Sequence, residues 1–144
     1  WLPEAEQTRP FRQVVGGAVI AGSAAGNRQP YAPEHLLSAG AGYVLRGFDA
    51  QLEAVYVGPQ FADFANTVSP SADGQRGRLE SYTVWNTSLN QAIGHARATA
   101  FLTIKNLADR SYIVDRTRGI QVGSPRLVQA GVQYIFGGRP VRDE

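Results

Sequence analysis

The side chains best suited to chemistry in this 144-residue chain are arginines, and they sit in its polar stretches. Of the 14 basic residues only Lys105 is a lysine. Arg28, Arg76, Arg78, Arg116 and Arg118 lie in segments rich in glycine, proline, serine and aspartate. A guanidinium is a rigid fork of donors that matches a carboxylate bidentately. Arginines so placed suit an anionic, carboxylate-bearing ligand, with Arg116 and Arg118 the foremost candidates. The competing reading pairs them with lipid phosphates, with loop carboxylates such as Asp115, or with water.

Little else in the chain points to chemistry. There is no cysteine, which excludes a disulfide framework and a thiolate metal site. His35 and His95 are far apart and have no ligand-spaced partner, so no zinc site is expected. Asp63, Asn66 and Asp73 fit no calcium-loop spacing, and turn chemistry accounts for them better. Gly40-Ala41-Gly42 followed by Gly47 has the wrong spacing for a dinucleotide fingerprint and falls inside a strand pattern. These glycines read as small inward-facing residues. Asn86-Thr87-Ser88 is a glycosylation sequon in form only, since it lies mid-strand. No catalytic constellation, metal site or cofactor site emerges, and the chain is not expected to be an enzyme. A net charge of +2 without a dense basic run also argues against nucleic acid.

The elements that must position the arginines are strands. The dominant period is two, with little room for helices. Ala50, Leu52, Ala54 and Tyr56 oppose Gln51, Glu53, Val55 and Val57. Ala98, Ala100, Leu102 and Ile104 oppose Arg97, Thr99, Phe101, Thr103 and Lys105, with Phe101 breaking the polar face; it is expected in a lumen or against another domain. In the last run Val128, Ala130, Val132, Tyr134 and Phe136 share an apolar face, as a strand with lipid on one side requires. Residues 36–45 alternate less cleanly, and residues 82–92 are ambiguous in phase. Strands are expected near 35–46, 49–58, 81–93, 96–106 and 125–136, with one more within 1–22.

The connections alternate between tight and long. Arg46-Gly47-Phe48-Asp49 and Ile93-Gly94-His95-Ala96 are tight turns, whereas 58–80 and 106–125 are long and polar. This is the rhythm of an outer-membrane barrel with short periplasmic turns and extended external loops, which carry the five arginines. Tyr43, Tyr134 and Phe136 fall near the tight-turn ends, and Tyr56 and Tyr82 near the long-loop ends, as two aromatic girdles would. No apolar stretch is long enough for a membrane helix. The fold class is therefore all-β, an antiparallel transmembrane β-barrel. Five or six strands cannot close in lipid, where an open edge leaves backbone groups unsatisfied, so the wall is expected to be partial. The chain begins at Trp1 and contains no methionine, which places the expected natural start upstream.

Several stretches carry a resemblance to a known family. They are Gly26-Asn27 with Pro30-Tyr31-Ala32-Pro33-Glu34-His35; Tyr56-Val57-Gly58 with Gln60-Phe61-Ala62-Asp63 and Asn66-Thr67; and Asp73-Gly74 with Gly77. Further along come Tyr82-Thr83-Val84-Trp85-Asn86; Asn106-Leu107 with Asp109-Arg110 and Tyr112; Arg116 with Gly119-Ile120; Gly123 with Pro125-Arg126; and the ending Tyr134-Ile135-Phe136. Together they resemble the C-terminal part of a TonB-dependent outer-membrane receptor, in its ferric-dicitrate and siderophore branch. The resemblance implies residues 1–136 as the last portion of a twenty-two-stranded barrel around a plug. It implies uptake of a ferric siderophore or ferric citrate-like chelate across the outer membrane of a Gram-negative bacterium. The TonB complex would act through the plug region, and the barrel-assembly machinery would read a terminal signal comprising Val132, Tyr134 and Phe136.

Two departures stand out. Residues 137–144 form a short polar extension beyond the terminal aromatic, and Ala108 stands where a larger apolar residue is common. The alternative reading is a small complete outer-membrane barrel with a structural or adhesion role. A soluble lipocalin-like barrel is a third, disfavoured by the apolar outer face of the last strand.

Overall fold

Arg46 and Gly47 form a two-residue turn with φ of 47° and 80°. Positive φ at both positions gives the mirror-image turn whose twist matches paired strands, and glycine adopts it without steric cost. The turn joins β3 (Leu36–Leu45) to β4 (Phe48–Val57), each of ten residues. About 9–11 tilted residues cross a bilayer core. The computed structural model describes residues 5–15, 18–94 and 97–136. His95 and the extension 137–144 lie outside the described residues.

The other long strands are β7 (Tyr82–Ile93), β8 (Ala98–Lys105) and β11 (Leu127–Tyr134). With β3 and β4 they form one five-stranded sheet in the order β11-β8-β7-β4-β3. The five expected strands are all present. Residues 1–22 were expected to hold one strand, yet β1 (Phe11–Val15) and β2 (Ala18–Ser23) form an antiparallel hairpin. Their apolar residues run consecutively instead of alternating, so periodicity could not separate the two. The long polar stretches also contain short pairings that two or three residues cannot announce: β5 (Gln60–Phe61) with β6 (Arg78–Leu79), and β9 (Ile113–Asp115) with β10 (Gln121–Val122). No helix among the described residues is long and apolar enough to cross a membrane, which says nothing about crossing by strands.

Register assigns the faces. Val128, Ala130, Val132 and Tyr134 of β11 stand opposite Ile104, Leu102, Ala100 and Ala98 of β8. Thr87, Leu89, Gln91 and Ile93 of β7 meet the same four β8 residues from the other side. Directly paired residues share a face, so one side of these strands is almost wholly apolar. The opposite side carries Gln129, Gln133, Thr103, Thr99, Ser88 and Asn90. It continues onto β4, where Asn86 Nδ2 donates to Glu53 Oε2 (3.0 Å) and Asn90 Nδ2 donates to Asp49 Oδ1 (3.2 Å). The unclear phase of residues 82–92 is settled by this pairing. The two polar side chains on the apolar face satisfy themselves locally: Thr87 Oγ1 donates to Gln51 O (2.8 Å) and Gln91 Nε2 to Ala92 O (2.9 Å). Unmet polar groups would be costly against lipid.

Phe101 now has a reason to interrupt the polar face. It pairs with Gly131, and a Cβ on that glycine would fall 2.8 Å from Phe101 Cζ. The ring lies across the glycine and fills the space a side chain would take. Among the described residues Leu79 is the one buried hydrophobic, while Leu37, Tyr43, Val128, Val132 and Phe136 are exposed. A water-soluble monomer rarely shows so much contiguous apolar surface; a barrel wall covers it with lipid.

By contacts the chain divides into two units. One comprises residues 39–54, 84–110 and 125–144, mostly sheet; the other comprises residues 1–38, 55–83 and 111–124, mostly loops and short pairings.

Candidate functional site

The loop unit is built on side chains that substitute for backbone pairing. Asn66 sits at φ 53°, a left-handed conformation that asparagine tolerates. From there its Oδ1 accepts from Arg28 N (2.7 Å) and its Nδ2 donates to Arg28 O (2.9 Å). One amide thus pairs with both backbone groups of a residue in a distant segment. Asp63 holds the same loop by accepting from Ala65 N (2.9 Å) and Thr67 Oγ1 (3.0 Å). Asp73 accepts from Ser71 Oγ (2.5 Å) and Gln75 N (3.0 Å). The acids read as turn formers are turn formers, and no group of three metal-ligating side chains occurs among the described residues.

A second knot forms around Tyr31. Its hydroxyl accepts from Arg116 N (3.1 Å) and lies 3.3 Å from Thr117 Oγ1. Asp115 Oδ1 accepts from Thr117 Oγ1 (2.6 Å) and Thr117 N (2.8 Å). Donation from the Thr117 hydroxyl first, then from the Tyr31 hydroxyl, lowers the Asp115 carboxyl from 3.8 to about 2. A carboxylate held below its unfolded value contributes stability that is complete above that value. The contribution is lost as pH falls from 3.8 through about 2. Pepsin cleavage within residues 113–119 is therefore expected to accelerate over that interval in the native protein. Asp115→Asn should flatten the response; an unchanged profile in the variant would remove Asp115 as its source.

The five arginines divide. Arg76, Arg78 and Arg118 are exposed. Arg78 Nε lies 4.0 Å from Glu80 Oε1, while Arg76 and Arg118 form no salt bridge among the described residues. Arg28 is partly buried, with Nη1 4.0 Å from Glu34 Oε1 and with Nε and Nη2 buried without partners. Arg116, expected to face outward, is only 4 % exposed. Its Nη1 donates to Gly74 O (3.2 Å), tying the segment after β9 to the Asp73-Gly74 turn. A buried guanidinium in a polar loop cannot be told from an exposed one by spacing, because burial depends on which distant loop covers it.

Two groups that sequence reasoning quoted without a role carry much of the geometry. Tyr112 stacks on Tyr82, with centroids 4.1 Å apart and planes 27° apart, and its ring occupies the place of a side chain at Gly123. Tyr82 thus packs within the loop unit, beyond the girdle role expected of it. In the sheet unit, Asn106 is 2 % exposed at φ 50°. Its Oδ1 accepts from Arg110 N (2.9 Å) and its Nδ2 donates to Arg110 O (2.9 Å). Asp109 Oδ1 accepts from Arg126 N at 2.9 Å, just before β11 begins. His35 precedes β3, and its carbonyl accepts from Gly58 N (2.8 Å). Val132, Tyr134 and Phe136 are all exposed, and the rings of Tyr134 and Phe136 meet edge to face at 4.6 Å.

An antiparallel sheet of strands long enough to cross a bilayer core, apolar on one face and amide-rich on the other, defines a barrel wall of an outer-membrane type. The chain belongs to the TonB-dependent receptor β-barrel family: residues 8–107 match the family model described as TonB dependent receptor-like, beta-barrel. Among solved structures it is similar to the ferric citrate transporter FecA in its unliganded form, at 31 % identity and a TM-score of 0.67. That match covers 75 % of this chain and 17 % of FecA. The siderophore receptor PiuA from Acinetobacter baumannii matches at 20 % identity and a TM-score of 0.76, over 90 % of this chain and 18 % of that one. The ferric-catecholate import receptor Fiu from K12 E. coli matches at 23 % identity and a TM-score of 0.58, over 77 % and 15 %. The chain thus spans less than a fifth of the length of these structures.

Proposed function

We propose that this chain forms wall strands and external loops of an outer-membrane receptor that imports a ferric chelate of the citrate or siderophore kind. The observation that carries the reading is the two-faced sheet, apolar on one side and amide-rich on the other, in a chain 31 % identical to a ferric citrate transporter over most of its length. The apolar face meets lipid of a Gram-negative outer membrane, and the polar face lines the lumen. TonB would supply energy through a plug contributed by the rest of the receptor. Val132, Tyr134 and Phe136 would serve as the signal for the barrel-assembly machinery.

Within the loops, Arg76 and Arg118 are exposed and form no salt bridge among the described residues, which suits them to meet a carboxylate-rich chelate, with Arg78 next. Arg28 is partly buried and Arg116 fully so, which leaves them less available. A hydrogen bond to a charged group contributes about 1.5–3 kcal/mol, so loss of one such arginine costs about tenfold in affinity or more. In the full-length receptor, Arg76→Gln and Arg118→Gln are each expected to raise the apparent KM for ferric dicitrate uptake by about tenfold. Cells lacking every other ferric citrate route provide the assay. Uptake unaffected by both substitutions would contradict the assignment.

A further inference from the structure

The loop unit poses a question that ligand contact leaves unanswered. Arg116 is buried; its side chain donates one hydrogen bond, from Nη1, and its Nε has no partner. A buried guanidinium satisfied at one nitrogen is a poor investment in stability, since desolvation outweighs a single neutral acceptor. Its placement is nevertheless specific. The backbone N–H of Arg116 donates to the Tyr31 hydroxyl, and its Nη1 donates to Gly74 O. The first bond reaches the segment before β3, and the second reaches the turn between β5 and β6. Gly74 also lies against Ile120, where a Cβ would come within 3.2 Å of Cγ1.

We propose that Tyr31 and Arg116 are positioning residues that lock segments 26–35, 71–77 and 113–119 into one body. That body holds Arg76 and Arg118 outward as a preassembled rim for an anionic chelate. The proposal rests on the ferric-chelate reading for the ligand, but the lock itself is a property of the loops. Each locked segment carries its own short-range closure: Ala32 N donates to Gln29 O (3.4 Å), Gly74 N to Ser71 O (2.9 Å) and Gly119 N to Arg116 O (3.2 Å). Arg76 N donates to Ser71 Oγ (2.9 Å), which fixes where that side chain leaves the turn. Arg118 follows Arg116 by two residues, so whatever orients the Arg116 backbone orients Arg118. Preassembly lowers the ordering cost that binding would otherwise meet.

The test uses the full-length receptor in detergent, with two variants. Tyr31→Phe removes one oxygen and keeps the ring. Arg116→Met keeps the length and removes the charge. Without ligand, amide exchange in residues 71–77 is expected to speed up in Arg116→Met, and exchange in 113–119 in Tyr31→Phe. Thermal unfolding should not fall in Arg116→Met, because exchanging a poorly satisfied buried charge for an apolar chain is often neutral or stabilising. With ferric dicitrate as probe, each variant should raise KM about three- to tenfold at unchanged maximal uptake. In an Arg118→Gln background Tyr31→Phe should add little, and in an Arg76→Gln background Arg116→Met should add little, since each acts through that side chain. Exchange unchanged in both variants would overturn the lock. Faster exchange with effects on KM that multiply those of Arg118→Gln for Tyr31→Phe, and those of Arg76→Gln for Arg116→Met, would overturn the coupling of the lock to the rim. Faster exchange in a receptor whose uptake ignores Arg76 and Arg118 would keep the lock and sink the chelate reading instead.

Discussion

Gly123→Ala is expected to disrupt the loop unit more than any other single-methyl change. A Cβ there would fall inside the Tyr112 ring, nearest Cε2 and Cζ. The ring has no free retreat, because one of its faces is stacked on Tyr82. Gly123 N also donates to Tyr112 O (2.8 Å), which fixes the two backbones against each other. Overpacking costs about 1–3 kcal/mol where neighbours can yield, and this site sits at the upper end. In the full-length receptor the heat-modifiable folded band is expected to convert at lower temperature, with faster proteolysis in residues 111–124. Tyr112→Ala alone should be damaging too, since it removes the stack. Combined with Gly123→Ala it should be no worse than Tyr112→Ala alone, because the clash has gone. Additive damage in the double variant would contradict the steric account.

The second large effect belongs to Asn106. Its side chain serves both the N–H and the C=O of Arg110, while its own N–H donates to Asn86 Oδ1 (3.1 Å). It does this from φ 50°, where an ordinary side chain costs about 1–2 kcal/mol. Asn106→Ala incurs that strain and leaves the N–H and C=O of Arg110 without these part-buried bonds, at about 0.5–1.5 kcal/mol each. Asn106→Gly leaves the same groups orphaned but accepts the positive φ. Urea unfolding of the full-length receptor should therefore rank wild type above Asn106→Gly, and Asn106→Gly above Asn106→Ala. Equal stability of the two variants would show that the left-handed backbone contributes nothing.

These two positions mark the boundary of what the sequence reveals. The Asn106-Leu107…Asp109…Tyr112 run and the Gly123…Pro125-Arg126 element stand out as a signature, yet their spacing does not say why. The reasons are contacts: an amide folded back on its own loop, and a ring laid across a glycine in the next segment. Strand faces, by contrast, are legible because alternation is a local property. Val128, Ala130, Val132 and Tyr134 lie together on the face that their alternation assigns, in register with Ile104, Leu102, Ala100 and Ala98. The β1–β2 hairpin escaped because its apolar residues are consecutive, and β5, β6, β9 and β10 because short pairs have no period. Arg116 was legible as a loop arginine but not as a buried one. Tyr31 closes the knot from the other side, and nothing at positions 28–33 foretells the partner at 115–117.

The most direct test of the account is the face assignment of β11 in the full-length receptor in lipid. The absence of cysteine from these 144 residues allows single cysteines to be placed and spin-labelled one at a time across positions 127–134. Residues 128, 130, 132 and 134 are expected to be accessible to dissolved oxygen from the bilayer. Residues 127, 129, 131 and 133 are expected to be shielded from it and reached by polar relaxing agents. The reverse alternation, or polar access at every position, would contradict a membrane wall and with it the transport reading.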